Sequence, residues 1–276
     1  MTSKTEWVQV DALAEGFAKE ANTLEHVEDL TGKTFVLNSH GLSIAHTFGE
    51  NQHLTWEVLE GEEKGARGEA TYTSTCLREG IYFVDFIKPE EFATSASIVL
   101  NLKQQTATIL VGQMPTEQEA MRPVFQRVKD GDYLTGVKAN FIQCTVNRPV
   151  EGKVGHEETL ELVGKRVQYE YSPHEFYDHI YLSSGYYTWH CLKGVEKGLA
   201  ETEMCHYLKI DQNLFFFVWR EKVIPTLGVI MIDLERMKTT GKILGFDGTS
   251  FSSVSNFPVG AKATVMNAEL AHKMDG

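Results

Sequence analysis

Tyr169 and Tyr171 stand two residues apart in "GKRVQYEY", and Glu221 ends "FFFVWRE" two residues beyond Trp219. Residues two apart on a β-strand share a face. If both runs are strands, two phenols and a carboxyl group lie among the rings of Phe215, Phe217 and Trp219. Neighbouring phenols can donate hydrogen bonds to one carboxylate or carbonyl oxygen. A carboxyl group among rings loses hydration, its pKa rises, and it can then exchange a proton near neutral pH. The same parity groups Tyr177, His179 and Tyr181 on one face and Tyr187, Trp189 and Cys191 on another. Glu221, Tyr169 and Tyr171 are therefore the candidate catalytic residues; His179, Trp189, Trp219, Phe217 and Tyr187 are the candidate substrate-binding residues. Cross-strand packing also accounts for Tyr and Trp on strands, and it is the stronger reading for Trp56, Trp189, His46 and His179.

The elements that must position these side chains occur twice. "LTGKTFVLNSHGLSIAHTFGENQHLTWEVLEGEEKG" and "LVGKRVQYEYSPHEFYDHIYLSSGYYTWHCLKGVEKG" run in nearly the same order. Leu30, Gly32 and Lys33 fall on Leu162, Gly164 and Lys165. After a single-residue shift His46 falls on His179, Trp56 on Trp189, Gly61 on Gly194 and Phe83 on Phe216, the mark of an internal duplication. Each unit is a series of short runs with period two, from "KTFVLNS" to "TATILVG" and from "RVQYEY" to "KILGF", broken by Gly, Asn and Pro. Closely spaced strands without intervening helices predict an antiparallel barrel in each half, wide enough for side chains or one small ligand.

Helices are expected in two places. "DALAEGFAKEA" reads as a short helix plugging or flanking the first barrel. Residues 115–131 carry a capping box, Thr116 with Glu119, ahead of Met121, Val124, Phe125 and Val128 at helical spacing, with Pro123 as a kink point. "NFIQCTVN" reads as an extra strand linking the barrels. The expected domains are residues 1–131 and 132–276, each burying its own core. In the first unit Leu37 and Ser39 replace Tyr169 and Tyr171, and Lys88 replaces Glu221, so the second unit is the chemically equipped one.

Composition bounds the partners. With 42% hydrophobic and 23% charged residues the 276-residue chain is globular, and its net charge of −12 offers no basic patch for nucleic acid or an anionic membrane. No apolar run is long enough to cross a bilayer and no signal-like segment opens the chain, so a cytoplasmic location is expected. Cys76, Cys144, Cys191 and Cys205 form no CxxC pair and read as buried reduced thiols. Dinucleotide, P-loop, nucleophile-elbow and HExxH motifs are all missing, so neither cofactor nor metal is expected. The expected partner is a small hydrophobic or aromatic ligand, and a homodimer is left open.

The tandem L-x-G-K units, the paired His46/His179 and Thr-Trp positions, and the opening "EWVQVDALAEGFAKEANTL" resemble the MoaF family, named for molybdenum cofactor biosynthesis protein F. That resemblance covers nearly the whole chain and implies a lipocalin-like domain in each half. The second unit is also similar to phenolic acid decarboxylases, calycin barrels that release CO₂ without a cofactor. Their Y-x-Y pair and W-x-E strand match Tyr169, Tyr171 and Glu221, while Leu199 stands where their arginine is expected. The function expected is thus a cofactor-independent lyase or isomerase acting on a small aromatic or conjugated metabolite. A non-catalytic lipocalin-like carrier or sensor, and a specialised-metabolism cyclase, are the alternatives.

Overall fold

The computed structural model describes residues 6–152, 154–248 and 250–267. In the first half β1 (Thr34–Ser39), β2 (Leu42–Phe48), β3 (His53–Glu60), β4 (Arg67–Arg78), β5 (Ile81–Ile87), β6 (Thr94–Asn101), β7 (Thr106–Gln113) and β8 (Lys138–Val146) pair in order. β8 returns to β1, closing an antiparallel barrel. After the two-residue β9 (Glu157–Glu158), the second half runs through β10 (Arg166–Glu170), β11 (Phe176–Ser183), β12 (Tyr186–Lys193), β13 (Ala200–Asp211), β14 (Leu214–Glu221), β15 (Thr226–Asp233), β16 (Lys238–Phe246), β17 (Val254–Val259) and β18 (Lys262–Val265). β10 to β16 form a meander, and β18 bridges β16 to β10, so a second eight-stranded barrel closes; β9 and β17 pair outside this ring. Closure leaves no long unpaired edge in either half.

The duplication extends to the backbone. Gly32 and Gly164 have φ of 78° and 83°, Gly61 and Gly194 of 123° and 138°, and Gly65 and Gly198 of 89° and 88°. These are conformations that glycine adopts without a steric penalty, so the same turns recur at matching positions.

Four expectations change. The strand around Phe141 does not link the barrels: as β8 it fills the gap between β7 and β1, so the expected division at Gly131 and Asp132 falls inside the first barrel. The N-terminal helix α1 (Val10–Ala18) covers the second barrel, not the first, because its apolar stripe of Val10, Leu13 and Phe17 packs with that barrel's core. The helix expected over residues 115–131 breaks at Pro123 into α2 (Glu117–Ala120), which has the capping box, and α3 (Val124–Asp130). Cys76 is half-buried, unlike the other three cysteines.

The barrels share a third core. Leu77, Ile81, Phe83, Val99 and Leu110 on the outside of the first pack against Phe216, Val218, Leu227, Val229 and Met231 on the outside of the second. Polar ties cross the same joint. Arg78 donates two hydrogen bonds to Asp233, at 2.6 and 2.7 Å, and Asp233 is fully buried. The Thr75 and Thr240 hydroxyls meet at 2.8 Å. Removing one member of a buried ion pair leaves the other charge uncompensated at about 3–5 kcal/mol. Asp233 also accepts from the backbone N–H groups of Glu235 and Arg236, which places Arg78→Ala at the lower end of that range. Urea unfolding of the full chain should therefore show Arg78→Ala destabilised by about 3 kcal/mol, with one cooperative transition; a loss below about 1 kcal/mol would show that the joint does not depend on this pair.

Candidate functional site

β14 and β11 bring the candidate residues to one end of the second barrel. Inward positions Tyr171, Tyr177, His179, Tyr187, Trp189 and Trp219 line a cavity together with Glu196 and Glu221. Its volume is about 30 Å³, room for a water molecule but for no larger ligand. Leu13 and Phe17 of α1 line it as well, and the Phe17 ring lies 4.6 Å from that of Tyr171 and 5.7 Å from that of Tyr177.

Two glutamates face this space from different elements. Glu221, the last residue of β14, accepts a hydrogen bond of 2.9 Å from the Trp219 indole N–H. Glu196, in the turn between β12 and β13, accepts one of 2.9 Å from the Tyr177 hydroxyl. Burial pushes Glu221 up to about 8; the charge of Glu196 adds to the shift and the Trp219 hydrogen bond opposes it. Burial also pushes Glu196 up to about 7, against the Tyr177 hydrogen bond. Glu175 lies buried beneath the turn and accepts from the Val195 N–H at 3.1 Å. Gly194 makes room for it, since a Cβ there would sit 1.8 Å from Glu175 Oε2. On β13, Glu201 and Glu203 share Lys222, at 2.6 and 3.1 Å. Burial first, and then a hydrogen bond with Glu201, raise Glu203 to about 9.

Several buried polar atoms here have no partner: His179 Nδ1, Tyr187 OH, Trp189 Nε1 and Glu175 Oε2. Leaving such groups unsatisfied costs on the order of 1–3 kcal/mol each, which marks the cavity as a place where a polar guest or water would be welcome. His179 is held neutral, lowered to about 3 by burial. Its twin His46 is lowered to about 4 for the same reason. Each histidine stands opposite its unit's Trp across a strand pair, His46 with Trp56 and His179 with Trp189.

Not every candidate reaches the cavity. Tyr169 is fully buried, and its hydroxyl meets that of Tyr181 at 2.7 Å. Phe217 lies deeper, stacked on Trp219 and Tyr207 at ring distances of 5.4 Å. Leu199 packs on the aromatic core where an arginine was expected. Glu196 and Glu175 escaped sequence reasoning because both sit outside regular strands. Glu201 and Glu203 carried a readable signal: they share parity with Cys205 and Tyr207 on β13. Among the described residues, no cluster of His, Cys, Asp or Glu is arranged to hold a metal ion, and no helix is long and apolar enough to cross a membrane.

A larger cavity, about 610 Å³, lies between the barrels. Several of its polar groups are hydrogen-bonded, since Lys242 donates to Ser95 at 2.7 Å, and Ser97 and Asn256 donate to Asp85 at 2.6 and 2.7 Å, while Asn256 Oδ1 and His26 Nε2 have no hydrogen-bond partner. Two of these bonds cross the joint between the barrels, whereas the small cavity gathers two carboxyl groups raised toward neutral pH.

Residues 5–116 match the MoaF N-terminal domain and residues 156–269 the MoaF C-terminal domain. Protein MoaF of Klebsiella aerogenes is 42% identical over 274 residues, covering 97% of this chain and 98% of that one. A solved chain described as "a putative beta-lactamase from Burkholderia vietnamiensis" is 15% identical with a TM-score of 0.32, covering 43% of this chain and 94% of that one, a likeness too slight to carry an argument. The duplicated barrels, both domain matches and the full-length relative together place this chain in the MoaF family.

Proposed function

We propose that the second barrel binds a small aromatic or conjugated molecule and moves protons on it without a cofactor, as an isomerase or lyase, with Glu221 and Glu196 as the acid–base pair. The observation that supports this reading is the pairing itself: two carboxyl groups, both raised toward neutral pH, meet in one ring-lined cavity. Near neutral pH such a coupled pair holds one proton between two sites. One member donates while the other accepts, so the pair ends a proton shift with the proton count it began with. That balance suits isomerisation. The Tyr171 phenol, raised by burial and by the charge of Glu221, stays protonated and can donate to a developing oxyanion.

Charge narrows the substrate. Neither Arg nor Lys lines the cavity among the described residues, and Lys222 is already engaged by Glu201 and Glu203. A substrate carboxylate would meet like charge there without a cation to offset it. A neutral or cationic ring system fits better than a hydroxycinnamate-like anion. Access requires Phe17 and Leu13 to move, which makes α1 the gate.

A ligand that co-purifies with the protein, identified by native mass spectrometry, provides the test. Incubated with the protein in D₂O, it should take up deuterium at carbon, followed by NMR. Glu221→Gln should slow that exchange by roughly 10²–10⁴-fold while binding survives, the usual contribution of a general acid–base group. Unchanged exchange in this variant would leave the carrier reading in possession of the site.

The same carboxyl group predicts a pH effect on stability. Folding raises the Glu221 pKa above its ordinary 4.5, so the folded chain holds the proton more tightly and loses stability as pH rises from about 4.5 through about 8. Glu221→Gln removes this contribution. Its melting temperature should exceed that of the wild type at pH 9 and match it near pH 4; equal values at both would place the carboxyl group in a water-like setting.

A further inference from the structure

A second site lies where the segment between β7 and β8 crosses the outside of β14. Here a pocket of about 340 Å³ is lined by Arg127, Tyr133, Lys138, Asn140, His206 and Arg220, among others. Arg220 is only 4% exposed and Arg127 only 6%. Two guanidinium groups are thus nearly withdrawn from water in a chain of net charge −12.

Neither has a carboxylate ion-pair partner among the described residues. Arg220 donates to the Val137 carbonyl at 3.4 Å and to His206 Nε2 at 3.3 Å, both long. Its carbon centre lies 4.9 Å from the centroid of the Tyr133 ring, and its Nε is buried without a partner. Burial, followed by the charge of Arg220, lowers His206 to about 4, so the imidazole is neutral and contributes no counter-charge. Arg127 donates to the Glu119 carbonyl. The acids at the rim have hydrogen-bond partners of their own: the Glu119 carboxylate accepts from the Thr116 N–H and hydroxyl, while its charge also acts toward Arg127 and Lys138, and Asp132 pairs with Arg122. Lys138, at the exposed lip, makes a 3.4 Å contact with Gln113 and lies within electrostatic reach of Glu119.

A buried charge without a partner is costly, and a guanidinium is shaped to receive an oxyanion through two parallel hydrogen bonds. We propose that this pocket binds a small oxyanion, a carboxylate or phosphate group, which neutralises Arg220 and Arg127. The anionic group is held by the Arg220 and Arg127 guanidinium groups, with Lys138 closing over it and Tyr133 offering a ring face to whatever the anion is attached to. The site stands on the opposite face of β14 from Glu221 and is independent of the proton-transfer reading. Its occupant would also tie the β7–β8 segment to the second barrel.

Calorimetric titration of the full-length protein with sodium phosphate and with sodium succinate, at an ionic strength held constant by sodium chloride, tests the assignment. Saturable binding of at least one of the two, one per chain, is expected. Phosphate alone points to a phosphorylated ligand and succinate alone to a carboxylate. Arg220→Met should weaken binding at least tenfold, and Lys138→Met, at a position on which folding does not depend, several-fold. Absence of saturable binding above the chloride background would overturn the proposal, as would Arg220→Met binding as tightly as wild type. Should Arg220→Met fail to fold, a crystal soaked with whichever of the two anions bound decides: density against Arg220 and Arg127 sustains the site, and its absence there defeats it.

Discussion

One strand serves two cores, and much of the molecule follows from that constraint. Seven of the eight residues of β14 are buried, since both of its faces are covered. Phe215, Phe217 and Trp219 point into the second barrel, while Phe216 and Val218 enter the core shared with the first. A strand buried on both sides must be apolar along its whole length, which is why "LFFFV" lacks the polar alternation of a half-exposed strand. Polar chemistry can enter only at its end. There the alternation sends Arg220 to the outer face and Glu221 to the inner one, so adjacent residues of opposite charge lie in separate compartments and cannot neutralise each other. The candidate acid and the uncompensated guanidinium are two results of one pleat.

Inside the barrel the consequence is an excess of negative charge. Glu175, Glu196, Glu201, Glu203 and Glu221 act on one another at one end of the barrel; Lys222 pairs with Glu201 and Glu203, while Glu196 and Glu221 face a cavity walled by rings. Carboxyl groups so placed must hold protons, share them, or attract a positive partner. Apolar side chains of similar volume would cost less to bury than that arrangement. The first barrel shows the cheaper solution: Leu30, Phe35, Leu37, Phe48 and Leu54 fill its core.

Much of this was legible from period and parity. The strands β1–β7 and β10–β16 followed from alternation and turn residues, and the inward face of β14 followed from the spacing of Trp219 and Glu221. The outward face did not, because a continuous apolar run tells that both sides are buried without telling against what. β17 and β18 were missed: Pro258 and Gly260 interrupt "VSNFPVGAKATV", and one of these strands is only four residues long. The position of α1 was illegible for a different reason. Its Val10, Leu13 and Phe17 stripe announces burial, but the choice of barrel is made by Tyr171, Tyr177 and the surface at Gly245, more than 150 residues away. Glu196 required knowing that a turn folds back over the barrel mouth.

Comparison of the two units separates scaffold from chemistry within one chain. The His–Trp cross-strand pair and the positive-φ glycines occur in both barrels, so they belong to the way this barrel is built. His179 thus occupies a scaffold position shared with His46, both held neutral by burial, and in the second barrel that position also borders the cavity. What differs is the set around it. Where the second unit has Glu221, the first has Lys88, whose ammonium lies 5.3 Å above the Trp56 ring and pairs with Glu91. Where the second has Tyr169, bonded to Tyr181, the first has buried Leu37. Each exchange removes a polar group from the first barrel or satisfies it at the rim. Both barrels keep an unpartnered imidazole nitrogen, His46 Nδ1 and His179 Nδ1, but only in the second do Tyr187 OH and Trp189 Nε1 join it around a cavity that two glutamates also face.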